Sequence, residues 1–314
     1  MREFTDAHVD RWVDRAALVA EVTRCLADLG RGEAEQAPKQ LLPMVGGGFF
    51  LTLAGVVPRL GIAVAKWASY RPAADGAASR STATILVSAA DRGDPLARIH
   101  GMRATEARTA ATAVAVARAA RPTAVVRRIG LLGFGPTNRS VLDTILATLD
   151  TVEEVRIAVR TEVNARAVRR QPPRRGVPVS VGTDPAALAG VDLAVSATGA
   201  TAAVADLDLL APDGVVVCLD GAHIWRHGGA AELLDDRVLA GQVPSVARMF
   251  SGVEPPAGRL LLDVAGSAVA DAALAALLLR AADSGRVTPS AVPDPAVPDP
   301  ADPWSGAAWP ERPS

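Results

Sequence analysis

Arg128-Ile-Gly-Leu-Leu-Gly-Phe-Gly-Pro-Thr-Asn-Arg139 holds, in twelve residues, the strongest structural signal of the chain. A short apolar run, Ile129 to Leu132, meets Gly133-Phe134-Gly135, and a helical pattern then runs from Ser140 to Leu149. Strand, glycine turn and helix start in that order predict a dinucleotide-binding βαβ unit. Gly133 allows the tight turn, and Gly135 lets the backbone approach a pyrophosphate at the helix N-terminus. Pro136, Thr137 and Asn138 complete the candidate cofactor loop, Asn138 standing in place of the fingerprint's third glycine. A plain turn would also explain Gly-x-Gly, so the reading leans on what surrounds it.

Downstream, strand-like stretches at 155–159, 177–181, 191–197 and 215–219 alternate with helical ones at 138–149, 162–170 and 185–188. That spacing implies a parallel sheet covered on both faces. Upstream, residues 5–29 read as one amphipathic helix closed by Gly30 and Gly32, and strand-like pieces follow at 49–53 and 61–65. Residues 81–88 read as a strand and Asp91-Arg-Gly-Asp-Pro95 as a turn. Residues 96–100 are then its hairpin partner, and 105–120 a helix stopped by Arg121-Pro122. Residues 260–279 are almost wholly apolar and predict one buried helix. Past Gly285, Pro-Asp-Pro occurs at 293–295 and again at 298–300, which predicts a disordered tail over 286–314.

The 314 residues can bury a large core and suggest two domains. A formal net charge of -1 gives no reason to expect nucleic acid or an acidic membrane as partner. Cys25 and Cys218 make no disulfide framework, and with His8, His100, His223 and His227 they offer no clustered ligand set, so no metal is expected. The N-terminus lacks the apolar core of a signal peptide, and Asp263 and Asp271 interrupt the longest apolar run. A cytoplasmic protein is the expectation. Tyr70, the only tyrosine, has Ala74 four residues on, so a Tyr-x-x-x-Lys pair is excluded.

The second strand of the unit ends Val159-Arg160-Thr161, without the carboxylate that favours NAD at that place. Arg160 and Thr161 can hold a 2′-phosphate by charge and hydroxyl donation, which points to NADP(H) over NAD; a solvated arginine at a strand end is the alternative. Ala197 and Thr198, in Ser196-Ala-Thr-Gly-Ala200, would let the nicotinamide half pass close to the backbone, although core packing also explains small residues there.

Glu106-Ala-Arg108-Thr109-Ala-Ala shortly before the glycine turn resembles the ornithine cyclodeaminase/μ-crystallin family. Lys66, Asp94-Pro95 and the late Asp263-Val-Ala-Gly266 followed by Asp271 fit the same order. The resemblance spans about residues 38–283. Lys66-Trp-Ala-Ser-Tyr-Arg-Pro72 is most similar to the branch that releases 2,3-diaminopropionate from N-(2-amino-2-carboxyethyl)-glutamate. It implies an α/β protein with a doubly wound Rossmann sheet (123–262) beside an α+β substrate-binding and dimerising domain (1–122 with 263–285). A homodimer acting on an amino-acid-like small molecule follows. Arg108 matches the arginine that grips an α-carboxylate, and Thr109 beside it is carried over as a cofactor contact. Lys66 matches the lysine facing the substrate, as a carboxylate contact or a proton donor. Lys39 stands where relatives carry an arginine for substrate.

One departure concerns proton transfer. The family's cyclodeaminases place an aspartate soon after the fifth strand, and counting without gaps from Pro212-Asp-Gly214 puts His223 there. A histidine can take over the proton work, with Asp220 the alternative if the loop is shifted. The change counts against ornithine cyclodeamination itself. The expectation is an NAD(P)-dependent oxidoreductase at the Cα–N bond of an amino acid, imino acid or N-linked conjugate. The alternatives are a crystallin-like NADPH binder without turnover and a cyclodeaminase-type lyase.

Overall fold

A computed structural model describes residues 1–71, 80–171, 175–228, 231–234, 245–264 and 266–285. The proline-rich tail expected to be disordered lies outside the described residues. The first part contains β1 (Arg2–Phe4), α1 (Asp6–Trp12), α2 (Arg15–Gly30), β2 (Glu35–Gln36), β3 (Gln40–Pro43), β4 (Phe49–Val57), β5 (Ile62–Arg71), β6 (Arg80–Ala89), β7 (Pro95–His100) and α3 (Arg103–Ala120). Its strands form one sheet in the order β1-β7-β6-β5-β4-β2, with β3 also on β4, and only β1 and β7 pair in parallel. Side chains alternate across it with the period of two that strands impose. Leu53, Lys66 and Ile85 are in register on β4, β5 and β6, and all are buried. Lys66 therefore occupies a core position of the pleat. Its neighbour Trp67 faces outward and is exposed.

The second part follows with β8 (Arg128–Leu132), α4 (Pro136–Thr148), β9 (Glu154–Ala158), α5 (Glu162–Arg169), β10 (Val179–Gly182), β11 (Leu193–Ser196), β12 (Ala205–Asp206), β13 (Val215–Cys218), β14 (Trp225–Arg226), β15 (Ala231–Leu234), α6 (Ser245–Met249), β16 (Leu260–Asp263) and α7 (Ala268–Asp283). Its main sheet runs β10-β9-β8-β11-β13-β16-β15 and every pairing is parallel. Strand order reverses direction between β8 and β11, which makes the crevice at their C-terminal ends the ligand position of a doubly wound fold. This is the expected α/β Rossmann architecture.

Two helical expectations need correction. Residues 5–29 form two helices because Val13 is extended and Asp14 restarts the chain, its side chain accepting the Ala17 amide at 2.7 Å. Residues 260–279 are a strand followed by a helix. Leu260–Asp263 pairs with β13, Gly266 turns with φ 115°, and Ser267 caps α7. An apolar run buried on all sides looks alike as strand or helix, so periodicity could not divide it.

After that turn α7 leaves the Rossmann sheet and packs on β4 and β5, against α2 and α3. Glu21 of α2 fixes its far end by hydrogen bonds from Arg280 of α7 (2.9 Å), Arg24 (2.8 Å) and Arg59 (3.0 Å). Burial alone would raise the Glu21 carboxyl, but those donors outweigh it and pull it down to about 2. A depressed carboxyl contributes stability that is present above the unfolded value and lost as pH falls through the folded one. Glu21→Gln is expected to cost about 2 kcal/mol at neutral pH. The melting-temperature gap to the wild type should close as pH falls from about 4.5 toward 2; a gap that stays constant across that range would refute the assignment.

Candidate functional site

The glycine turn after β8 builds one side of the candidate site. Gly133 has φ 82°, and a Cβ there would sit 2.5 Å from the Ala197 carbonyl oxygen, so only glycine fits between β8 and β11. Gly135 is the N-cap of α4, with Pro136 in the first helical turn. A Cβ at Gly135 would meet nothing within 4 Å, so the space before the helix N-terminus is open. That combination suits an anion approached by backbone amides. A cleft of about 670 Å³ lies here. Gly133, Gly135, Arg160, Ala197 and Thr198 line it. Arg139, Asn164, Thr183 and Arg226 join them without having been singled out in the sequence.

Asn138 needs a different reading from the cofactor contact expected of its side chain. It is fully buried, and its amide donates to the carbonyls of Leu132 (3.0 Å) and Gly133 (2.8 Å), with a longer contact to Val195 (3.4 Å). It therefore pins the glycine turn to β8 and β11 from inside, where the third glycine would serve close packing. Thr161 is N-cap of α5, its hydroxyl accepting the Asn164 amide at 3.3 Å. Arg160 is exposed and makes no hydrogen bond or ion pair with a described residue. Thr109 and Thr137 are half-buried and not among the residues lining the cleft.

The second feature is a buried ion cluster. Arg108 of α3 and Lys66 of β5 both approach the same oxygen of Asp271 on α7, Nε at 3.1 Å and Nζ at 3.4 Å. The three side chains are 4%, 1% and 0% exposed. Arg108 Nε and Nη1 and Asp271 Oδ2 have no hydrogen-bond partner of good geometry among the described residues. Gly266 leaves room for the guanidinium, since a Cβ there would be 3.2 Å from Nη1. Burial, then the positive charge of Arg108, pulls Lys66 down to about 7 against the opposing pull of Asp271, and Lys39 adds repulsion. The cluster sets one carboxylate against Arg108 and Lys66, so a protonated Lys66 leaves a positive charge that Asp271 alone does not balance. Gln36 of β2 supports it, accepting from Ser267 Oγ (2.8 Å) and the Ala268 amide (3.2 Å) at the start of α7.

Cleft and cluster are linked by β5. Tyr70 lies four residues beyond Lys66, about 13 Å along a strand. Its hydroxyl is 3.8 Å from where a Gly199 Cβ would be, on the loop that continues from Ala197 and Thr198. The two candidates for proton transfer lie on the neighbouring loop. Asp220 is held by Ser196 Oγ (2.7 Å) and by the amide (2.6 Å) and hydroxyl (2.8 Å) of Thr198. His223 is exposed, with Nε2 3.4 Å from the Ala200 carbonyl. Neither makes a hydrogen bond or ion pair with the cluster.

The sequence pattern of ornithine cyclodeaminase/mu-crystallin proteins matches residues 6–259. The chain belongs to that family. No protein of curated function matches it. Among solved structures, the family fold recurs in Δ1-pyrroline-2-carboxylate reductase of Thermococcus litoralis in complex with NADH and L-proline. The TM-score is 0.76 at 18% identity, over 91% of this chain and 98% of that one. A probable ornithine cyclodeaminase from Bordetella pertussis Tohama I gives 0.73 at 24% identity, over 91% and 98%. An archaeal alanine dehydrogenase, a dimer with bound NAD, gives 0.75 at 18%, over 91% and 97%. At such identities these likenesses speak for the fold. No helix among the described residues is long and apolar enough to cross a membrane, and no metal-binding group of three or more His, Cys, Asp or Glu occurs among them.

If Asn138 pins the turn, restoring the fingerprint glycine is harmful. Asn138→Gly is expected to lower stability by about 1–3 kcal/mol and to weaken dinucleotide binding. Tighter binding of NADPH or NADH by the variant, in a fluorescence titration, would show that Asn138 merely replaces a glycine.

Proposed function

We propose that this family member is an NAD(P)-dependent oxidoreductase acting at the Cα–N bond of an amino acid or imino acid. The observation that carries the reading is the buried Arg108–Lys66–Asp271 cluster, one negative charge short when Lys66 is protonated, a strand's reach from the dinucleotide cleft. A planar guanidinium with unused N–H groups suits a carboxylate gripped at two points. When bound, a nicotinamide cofactor supplies the hydride chemistry. The chain's share is to hold the substrate carboxylate with Arg108 and Lys66, to seat the dinucleotide on Gly133–Pro136, and to keep water out by burial. His223 is the candidate to move a proton at the substrate nitrogen or on an attacking water. Asp220 is the weaker candidate because its carboxylate already takes three hydrogen bonds from the loop.

The cofactor preference we infer is NADP(H). Arg160 lines the cleft with no partner among the described residues, and no carboxylate stands at the end of β9. NADPH is expected to bind more tightly than NADH, and Arg160→Ala to cost about 10- to 100-fold in NADPH affinity, as for a charge-assisted hydrogen bond, while sparing NADH. Equal affinities in the wild type would sink this preference and favour the NAD-using diaminopropionate-type reading.

For activity, the purified protein is screened for NADPH or NADH oxidation with glyoxylate, pyruvate or 2-oxoglutarate plus amines, and for NAD(P)+ reduction with amino acids. Loss of turnover in Arg108→Ala with cofactor binding intact is the expected result. The observation favouring a binder without turnover is that neither proton-transfer candidate touches the cluster. If amino acids and oxo acids neither turn over nor shift the melting point of the NADPH complex, that second reading replaces the first. Ammonia release from ornithine would identify a cyclodeaminase-type lyase.

The outer face of the first sheet supports a homodimer. Leu42, Phe50, Trp67 and Leu86 form an apolar surface there, with Phe50 and Trp67 stacked at 5.0 Å. Monomers seldom expose such a contiguous patch. Trp67→Asp with Leu42→Asp is expected to convert a dimer to a monomer in sedimentation velocity; an unchanged sedimentation coefficient would place the interface elsewhere.

A further inference from the structure

Of the 33 lysine and arginine residues in this chain only two are lysine, Lys39 and Lys66. Everywhere else the cation is arginine, which does not give up its proton in a protein. Both lysines bear on one place, because Lys39 is close enough for its charge to act on Lys66.

The groups facing Lys66 come from three sides. Arg108 approaches from α3, Asp271 from α7, and the charge of Lys39 from the connection between β2 and β3. Arg108 and Lys66 share one oxygen of Asp271, and the other oxygen has no partner among the described residues. Asp271 also lies in the first turn of α7, where the helix dipole favours an anion. With Lys66 neutral, Arg108 and Asp271 balance each other. With Lys66 protonated, the buried site carries one uncompensated positive charge, which a bound carboxylate removes.

We propose that Asp271 is the positioning residue of this site, a built-in counter-anion that balances Arg108, so that Lys66 takes up a proton from solvent as a substrate carboxylate binds and returns it on release. This rests on the reading of Arg108 and Lys66 as a carboxylate site. No covalent bond changes: a neutral amine, a solvent proton and a carboxylate become an ammonium–carboxylate pair. Burial and Arg108 already bring the Lys66 amine down to about 7 in the empty site, where a nearby anion has most effect.

The small number of lysines makes the test direct. Full-length protein labelled with ε-13C-lysine gives two side-chain signals, assigned with Lys39→Arg. In wild type the Lys66 signal should titrate near 7. Oxalate or L-proline, added to the NADPH complex, should move the Lys66 midpoint up by about one unit or more. Asp271→Asn should move it down in the empty protein, with the Lys39 signal unchanged as the check on folding.

A Lys66 midpoint near 10 in the empty wild type overturns the proposal without recourse to any variant. If oxalate or proline binds, as read by thermal protection lost in Arg108→Ala, yet leaves the Lys66 titration where it was, the proton coupling fails and the carboxylate reading survives. If neither those anions nor L-alanine and L-ornithine perturb the protein, the carboxylate reading itself fails and the proposal falls with it.

Discussion

Taking ions out of water costs several kcal/mol each, and Lys66, Arg108 and Asp271 are all removed from it together. The cost is offset only if three elements arrive in register: β5 with Lys66, α3 with Arg108, and α7 with Asp271. The first sheet, the connecting helix and the last described helix are thereby held to one geometry. Gln36 at the start of α7 and the Glu21 cluster toward its end secure the same helix from outside. The glycine turn sits on the other side of α3, which packs along α4. One helix thus connects the ion cluster to the cofactor loop.

Much of this was legible in the chain. Gly133 marks the strand–turn–helix because its φ and the close approach of β11 leave no other residue type there, and β/α alternation carries the parallel sheet. Arg108 and Lys66 were found through family resemblance, but Lys66 had a local signal as well. In Ile62-Ala-Val-Ala-Lys66-Trp67 it falls on the buried side of the alternation, with Trp67 outward. The apolar stretch 260–279 hid both a strand and the counter-anion, since a single Asp among leucines and alanines reads as an interruption. Only the three-dimensional meeting of α7 with β5 reveals its partners.

Asn138 shows a second limit. In the fingerprint the third glycine permits close packing of helix on strand; here an amide does so by hydrogen-bonding three carbonyls. By its place in the glycine turn the amide points to a ligand contact, whereas its side chain is buried and faces inward. Arg139, Asn164, Thr183 and Arg226 escaped notice for a simpler reason. They come from four separate segments whose convergence on one cleft depends on the sheet's strand order, which no local pattern encodes.

The position of α7 also bears on how the molecule assembles. Lys66 and Asp271 are 205 residues apart, and the whole parallel sheet is made between them. Loop closure over such a span is entropically costly and favours slow, late docking. The first sheet is synthesised long before its covering helix, so its inner face, with a lysine at its centre, awaits the synthesis of α7. Docking of α7 thus completes the ion cluster, and chains interrupted before α7 expose the apolar faces of the first sheet to aggregation.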